Sequence, residues 1–322
     1  MEYNYVIFQV PHDYYSISLN DALSMPNVKY CNYYPYFGGN FMKLLHRIHF
    51  SGKIRSLIQL PFKNIWNPFY FNNTFIDDKP ICFIFSGATA IYAKSGVTNY
   101  LKSKYTGSKF VCFYQDIISS YKYLTIDQAK HYFDLLISYD KADAEKYRLL
   151  YHPTQYSKID IPKNSSLPES DIYFVGSAKN RLWKIIETYE YLKAKGLKCD
   201  FNITEVAPKD QKYKNEINYI KRMSYLENLQ RIDKTKGIIE IMQEGANGFT
   251  LRTWEAITYN KFLISDNKAI EALQDNYNCF IKLNDITNDW KKLLSRRVIY
   301  DISLKEHMSV SGFIKFVENN LK

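Results

Sequence analysis

The 322-residue chain has little of what marks a secreted, membrane-spanning or metal-bound protein. Its five cysteines (Cys31, Cys82, Cys112, Cys199 and Cys279) are odd in number and widely spaced, without a CxxC pair. That pattern excludes a disulfide scaffold and argues for a reducing compartment. Cys82, Cys112 and Cys279 each adjoin a phenylalanine in an apolar run and read as small buried hydrophobes. Long hydrophobic runs are missing as well. No stretch reaches the ~18 apolar residues that a spanning helix needs, and the longest run, near Ile81 to Phe85, is the size of one strand. The opening MEYNYVIFQVP lacks the basic region and apolar core of a secretory signal. The expectation is a cytoplasmic protein whose membrane contact, where it exists, is peripheral on the inner face. There is no DxD, no HExxH and no His or Cys pair at ligand spacing, so no metal is expected.

What is present is an ordinary globular balance, with 46% hydrophobic and 24% charged residues, over a length that suits two domains. The 29 Tyr and 20 Phe are unusual. They are read either as stacking platforms for bases or sugars, or as the composition of an AT-rich genome, which also favours Lys, Asn and Ile. No basic-aromatic motif of a nucleic-acid module accompanies them, which favours the second reading, and no nucleic-acid partner is expected. The net charge of +10 attracts phosphates, nucleic acids and anionic lipids without choosing among them. The densest charged stretch, Lys209 to Arg231, is expected to be a solvated helix face.

Strand-like runs alternate with helix-like segments in two rounds. The first has strands at Tyr5 to Val10, Arg55 to Leu60, Pro80 to Ser86, Lys109 to Tyr114 and Leu135 to Tyr139. Its helices fall at Phe41 to Phe50, Ala88 to Lys104, Ile126 to Phe133 and Lys141 to Tyr147. His152 to Pro168, with three prolines around Asn164-Ser165-Ser166, is the expected linker. The second round has strands at Asp171 to Gly176, Lys198 to Thr204, Gly237 to Met242, Lys261 to Ser265 and Cys279 to Leu283. Its helices fall at Arg181 to Lys195, Tyr225 to Ile232, Thr250 to Thr258, Asn267 to Gln274 and Leu304 to Leu321. This rhythm predicts an α/β protein with two doubly wound, Rossmann-like parallel sheets facing a cleft. The domains are expected at 1–160 and 161–303, with a C-terminal helix at 304–322 that either returns to the first domain or stays on the second.

Two segments carry candidate chemistry. In FVGSAKNRLWKI a strand ends at Val175, a small-residue turn follows, and Arg181 opens a helix. Gly176 and Ser177 would let backbone N–H groups approach a phosphate at the helix N-terminus, and Lys179 and Arg181 would add charge. The same pattern also fits an ordinary strand-to-helix turn. In QEGANGFTLRTWEAITYNKFLIS, Gly245 and Gly248 bracket a loop, and a helix then carries Arg252 and Glu255 on one face.

This second segment resembles the donor-binding loop and helix of GT-B glycosyltransferases, particularly bacterial enzymes of polysaccharide and lipopolysaccharide (capsule, O-antigen) biosynthesis. The resemblance covers the second half of the chain. In the first half, PYFGGNFMKLLHRI, with Gly38 and Gly39, is similar to the acceptor-side glycine loop and first helix of such proteins. The resemblance implies that Glu255 accepts hydrogen bonds from ribose hydroxyls, and that Gly248, Phe249 and Thr250 meet a diphosphate. Arg252 would either contact phosphate or pair internally with Glu255. Asn247 stands where many retaining members carry a first glutamate, seven intervening residues before the second, so the stereochemical outcome stays open. In an inverting enzyme the base would come from the first domain, where Asp116, Asp13 and His12 follow strands. His46, on an amphipathic helix, reads as structural.

The implied activity is transfer of a sugar from a nucleotide-diphosphate donor, UDP-sugar favoured, to a hydroxyl of a glycan or lipid-linked oligosaccharide. The nucleotide sugar would be co-substrate, with no cofactor. The main alternative is a non-catalytic sugar- or nucleotide-binding partner of another transferase; an epimerase or phosphorylase of the same fold ranks below it.

Overall fold

The structure, a computed structural model, describes residues 2–9, 13–32, 39–51, 53–54, 58, 60–71, 75–121, 123–243, 248–270, 278–283 and 289–321. The chain divides into two units, Met1–Ser157 together with Val310–Lys322, and Lys158–Ser309.

The first unit is built on a six-stranded parallel sheet: β1 (Asn4–Gln9), β2 (Val28–Asn32), β3 (Ile81–Ser86), β4 (Lys109–Tyr114), β5 (Leu135–Ser138) and β6 (Leu150–Tyr151), in the order β2-β1-β3-β4-β5-β6. A parallel sheet is covered on both faces, so its inner strands are apolar throughout rather than alternating. In β1, Val6 and Phe8 join one core with Phe83, Phe85 and Cys112, while Tyr5 and Ile7 join the other with Cys82, Ile84, Val111 and Phe113. The helices of this unit are α1 (Asp13–Ser18), α2 (Asn20–Leu23), α3 (Asn40–His49), α4 (Val97–Lys104), α5 (Ile126–Ala129) and α6 (Lys141–Tyr147).

The second unit has β7 (Ser170–Ser177), β8 (Cys199–Thr204), β9 (Asn218–Tyr219), β10 (Thr235–Glu240), β11 (Phe262–Ser265) and β12 (Phe280–Lys282), again all parallel, in the order β12-β11-β10-β7-β8-β9. Its helices are α7 (Leu182–Ala194), α8 (Tyr225–Asp233), α9 (Leu251–Tyr259), α10 (Trp290–Leu294) and α11 (Ile302–Met308). This is the doubly wound dinucleotide-binding order, in which the chain reverses direction across the sheet between β7 and β10. In the first sheet the reversal falls between β1 and β3. Among the described residues no helix is long and apolar enough to cross a membrane.

The last helix, α12 (Val310–Asn320), belongs to the first unit. Val310, Phe313, Ile314 and Val317 recur at helical spacing and pack on the sheet face formed by Tyr5, Ile7, Ile84 and Phe113. The rings of Phe313 and Phe113 lie 4.9 Å apart.

Several expected elements take a different form. The single helix expected at Ala88 to Lys104 is a 3-10 turn, Ala90–Ser95, followed by α4; Gly96, at φ +84, changes the direction of the chain between them. The helix expected at Leu304 to Leu321 is split into α11 and α12 by extended Ser309. Ile126 to Phe133 is helical only to Ala129, and Lys209 to Arg231 only from Tyr225. Strands β2, β6 and β9 were not expected. The strand expected at Arg55 to Leu60 falls mostly outside the described residues.

Phe313 is fully buried, so Phe313→Ala should destabilise the first unit by about 3–5 kcal/mol. The measurement is the urea midpoint followed by near-UV circular dichroism.

Candidate functional site

The reversal between β7 and β10 brings two strand ends together, and each runs into a helix. Beyond β7 the turn Ala178 to Asn180 leads into α7. Lys179 takes a left-handed backbone (φ +42), and Arg181 occupies the cap position. Gly176 leaves room for the Arg181 guanidinium: a Cβ there would lie 3.4 Å from Nη2. That guanidinium donates to the carbonyls of Ser177, at 3.3 and 3.4 Å, and of Ile241, tying the two strand ends together. Burial lowers its pKa. Lys179 is exposed and donates to the Gln243 side-chain amide at 3.0 Å. Ser177 donates its hydroxyl to Glu205. The hydrogen-bond acceptors holding Lys179 and Arg181 are therefore uncharged, while Asp266 and Glu240 act on the Arg181 charge from beyond hydrogen-bond contact; both cations sit beside the positive end of a 13-residue helix.

Other cations at this edge are neutralised locally. Lys184 pairs with Asp266 at 2.7 Å, and Asp266 also accepts from the Met242 N–H at 2.7 Å. Arg252 pairs with Glu255 and donates to the Val175 carbonyl at 3.3 Å.

Glu240, at the end of β10, was not singled out from sequence, where it reads as part of the strand GIIEIM. It is buried, and its carboxylate accepts from the hydroxyls of Thr250, Thr253 (3.1 Å) and Ser265. Thr250 is the N-cap of α9 and accepts from the Arg252 N–H at 3.1 Å. Ser265 ends β11 and accepts from the Asn267 N–H at 2.9 Å; the Asn267 amide in turn donates to the Gly248 carbonyl at 3.0 Å. One acid thus fixes α9, β11 and the residue before Phe249. Phe249 itself packs edge-on against Trp254, with centroids 5.3 Å apart.

Of the two readings open for Arg252 and Glu255, the structure has the internal pair. Glu255 is fully buried, with one oxygen bonded to Arg252 and the other accepting from the Asn228 amide at 2.8 Å; Asn228 in turn accepts from the Tyr173 hydroxyl at 3.0 Å. The pair with Glu255 raises the Arg252 pKa against the opposing effect of burial. Asn247, like His12 and Gly38, lies outside the described residues.

At the C-terminal edge of the first sheet, Gln9 donates to Gln115 at 2.9 Å and Gln115 to Gln155 at 3.3 Å, an amide ladder joining the ends of β1 and β4. Asp116 follows, exposed, and accepts from the Ile117 N–H at 2.9 Å. Burial, with the Asp116 charge adding to it, raises the phenols of Tyr15, Tyr121 and Tyr139. Asp13 opens α1, which carries Tyr15 to this same neighbourhood. Gly87, past the end of β3, was also not singled out. A Cβ there would meet the Tyr121 ring at 2.6 Å. Gly39 is the N-cap of α3 and has open space around it. His46 is buried against Tyr70 at 3.0 Å, and burial pushes its pKa down to about 4.

Burial raises the Glu240 carboxyl above its ordinary value of 4.5, against the opposing hydrogen bonds. A carboxyl with a higher pKa folded than unfolded binds a proton more readily in the folded state. Its contribution is present at acid pH and is lost as pH rises through the folded pKa. Glu240→Gln, neutral at every pH, should therefore gain stability relative to the parent as pH rises from 4.5. Glu240→Ala, which strands three hydroxyls, should lose about 2–4 kcal/mol. Thermal melts across pH check both. Glu255→Ala should lose about 3–5 kcal/mol at neutral pH, because it leaves Arg252 and Asn228 without their carboxylate; denaturant titration checks it.

No protein-family model and no curated sequence relative matches the chain. Solved structures do. Trehalose-6-phosphate synthase OtsA matches with a TM-score of 0.52 at 10% identity, over 99% of this chain and 96% of that one. A second trehalose-6-phosphate synthase structure, from a study of bisubstrate glycomimetics, matches at 0.50 and 10%, over 99% and 96%. The glycotransferase of kitacinnamycin matches at 0.49 and 10%, over 99% of both chains. With two parallel six-stranded sheets and likeness along its whole length, the chain has the GT-B fold.

Proposed function

We propose that the protein is a glycosyltransferase that takes a sugar from a nucleotide-diphosphate donor and transfers it to a hydroxyl of a glycan or lipid-linked oligosaccharide in surface polysaccharide synthesis. The observation that carries this reading is the pair of cations Lys179 and Arg181, held by uncharged acceptors at the N-terminus of α7, where the second sheet reverses. Ligands of doubly wound sheets bind outside the strand ends at such a point, and a diphosphate suits a helix N-terminus with two cations beside it. Gly176 and Ser177 end β7, and Gly248, Phe249 and Thr250 lead into α9 beyond β10. Asn247 is kept in the donor site by the sequence pattern, and a uridine nucleotide is favoured only by its frequency among the enzymes the chain resembles.

In the proposed reaction the acceptor oxygen attacks the anomeric carbon and the bond from that carbon to the diphosphate oxygen breaks. The electron pair leaves with the nucleoside diphosphate, whose growing charge Lys179, Arg181 and the helix dipole stabilise. The hydroxyl proton passes to a base, for which Asp116 and Asp13 are the candidates. The Gln9–Gln115–Gln155 ladder beside Asp116 offers amides that donate to and accept from hydroxyls, which suits a sugar acceptor. Glu255 holds Arg252 and the Asn228 amide. Its part in donor binding is to keep α9 in place, and any ribose contact would have to use its remaining lone pairs. The working site is proposed to be the cytoplasmic face of the membrane, without a metal.

Calorimetry and thermal shift against UDP, GDP, CMP, ADP and dTDP test the reading. One nucleoside diphosphate should raise the melting temperature, with about 2.7 kcal/mol of stabilisation at a hundred times its Kd. Lys179→Ala, an exposed substitution, should weaken that binding about three- to tenfold without altering the melting temperature of the free protein. Binding of none of the five by folded protein would overturn the reading. Binding without turnover of any nucleotide sugar would favour the non-catalytic alternative.

A further inference from the structure

From Ala22 to Ile76 the sequence has six Lys or Arg residues (Lys29, Lys43, Arg47, Lys53, Arg55 and Lys63) and no Asp or Glu. The same region holds the main concentration of exposed apolar side chains. Of the fifteen large hydrophobics exposed among the described residues, eight fall between Phe41 and Phe69, including Phe41 at 70% exposure and Phe62 at 74%. Random drift toward aromatic codons would scatter such residues over the surface.

Their arrangement is built rather than incidental. On α3, Met42, His46 and His49 turn toward the body of the unit. Phe41, Leu44, Leu45 and Ile48 form an adjoining exposed stripe, and Lys43 and Arg47 lie one turn apart on the exposed flank. The helix is pinned in that orientation by the His46–Tyr70 bond and by a relay in which the Trp66 indole N–H donates to His49 Nδ1 at 2.9 Å. That makes His49 the Nε2–H tautomer, which donates to the Pro61 carbonyl at 2.6 Å. Across a groove of about 620 Å³ the opposite wall presents Phe62, Ile65 and Phe69. Phe62 is held in a left-handed backbone (φ +60), a conformation costly for a residue with a Cβ.

We infer that this face, α3 with the Phe62–Phe69 wall, docks the protein on an anionic lipid bilayer. An apolar stripe flanked by cations and free of acids is the pattern of a surface that inserts side chains at the headgroup boundary while Lys and Arg meet anionic headgroups. Contiguous exposed apolar side chains rimmed by polar residues mark protein or membrane interaction sites. The inference rests on the transfer reading only for its role, which would be to bring the first unit to a lipid-linked acceptor; the binding itself requires no nucleotide.

Flotation with vesicles of phosphatidylcholine, with and without phosphatidylglycerol, tests it on the full chain. Partitioning should require phosphatidylglycerol and fall with added salt. Lys43→Gln and Arg47→Gln should each weaken it about fivefold, and Phe62→Ser by at least about tenfold. The near-UV spectrum of each variant and its binding of the nucleotide identified for the second unit should be unchanged, which separates failure here from failure of the transferase reading. Absence of partitioning by folded parent protein, or equal partitioning to both vesicle types, would overturn the inference. So would a dimer in solution that Phe62→Ser dissociates, since the face would then pair with a second copy.

Discussion

A carboxyl group in a dry interior is costly unless donors surround it, and Glu240 shows how that cost becomes architecture. Its three hydroxyl donors come from two elements, Thr250 and Thr253 from the start of α9 and Ser265 from the end of β11. None of the three can move away without leaving the acid unsatisfied. The strand end, the helix start and the neighbouring strand are therefore locked at one point, and the loop that leads through Gly248 and Phe249 into α9 inherits that geometry. Everything proposed for the donor side depends on where this loop and helix sit.

The same strand ends sort their cations into two kinds. Arg252 and Lys184 face carboxylates a few ångströms away, so their charges are spent on holding α9 and α7 in place. Arg181 and Lys179 are hydrogen-bonded to a carbonyl pair and an amide, which orient a cation without forming an ion pair, and Asp266 and Glu240 act on Arg181 from farther off. The first group is structural, while the second is the pair proposed to meet an anion arriving at α7. In the first unit the corresponding edge carries three glutamine amides and the Ser86–Thr89 hydroxyl pair at 3.1 Å together with acids, Asp116 exposed and Asp140 and Asp143 buried, the last accepting from the Ile118 N–H at 2.7 Å. Both sheets are parallel and six-stranded, but their strand orders reverse at different points and their edges carry different groups.

How much of this was legible in the sequence follows from burial. Inner strands of a parallel sheet must be apolar on both faces, so β1, β3, β4, β7 and β11 announce themselves as unbroken runs. Edge strands have one paired side and less to bury. VKYCN, LY and NY therefore carry no such signal, and β2, β6 and β9 became visible only through their pairing. The helix breaks at Gly96 and Ser309 were masked because the apolar spacing continues past both residues. Arg252 and Glu255 were legible as neighbours on one helix face, but whether they bind each other or a ligand depends on Asn228, which comes from α8 and has no sequence relation to them. Glu240 had a signal that went unused: an acid inside GIIEIM is either a strand end or a buried group demanding hydroxyls, and Thr250, Thr253 and Ser265 lie shortly downstream.

The aromatic excess divides in a way that composition alone does not explain. Many of the described rings are inside: Phe8 stacks on Phe85 at 4.6 Å, Phe83 on Phe110 at 5.4 Å, and Phe174 on Phe201 at 5.4 Å, each pair bridging adjacent strands of one sheet. There the rings fill volume between sheet and helices, as leucine or isoleucine would, so a genome rich in A and T can supply them at little cost to packing. Around α3 the same residue types surround a polar pin, His46 and His49 bonded to Tyr70 and Trp66, and turn their neighbours outward. A hydrogen-bonded pin, buried at His46 and half-buried at His49, beneath an exposed apolar stripe inverts the usual arrangement of polar surface over apolar core. Exposed apolar side chains gathered on one face mark an interaction surface rather than a compositional accident, which is the role inferred for the stripe.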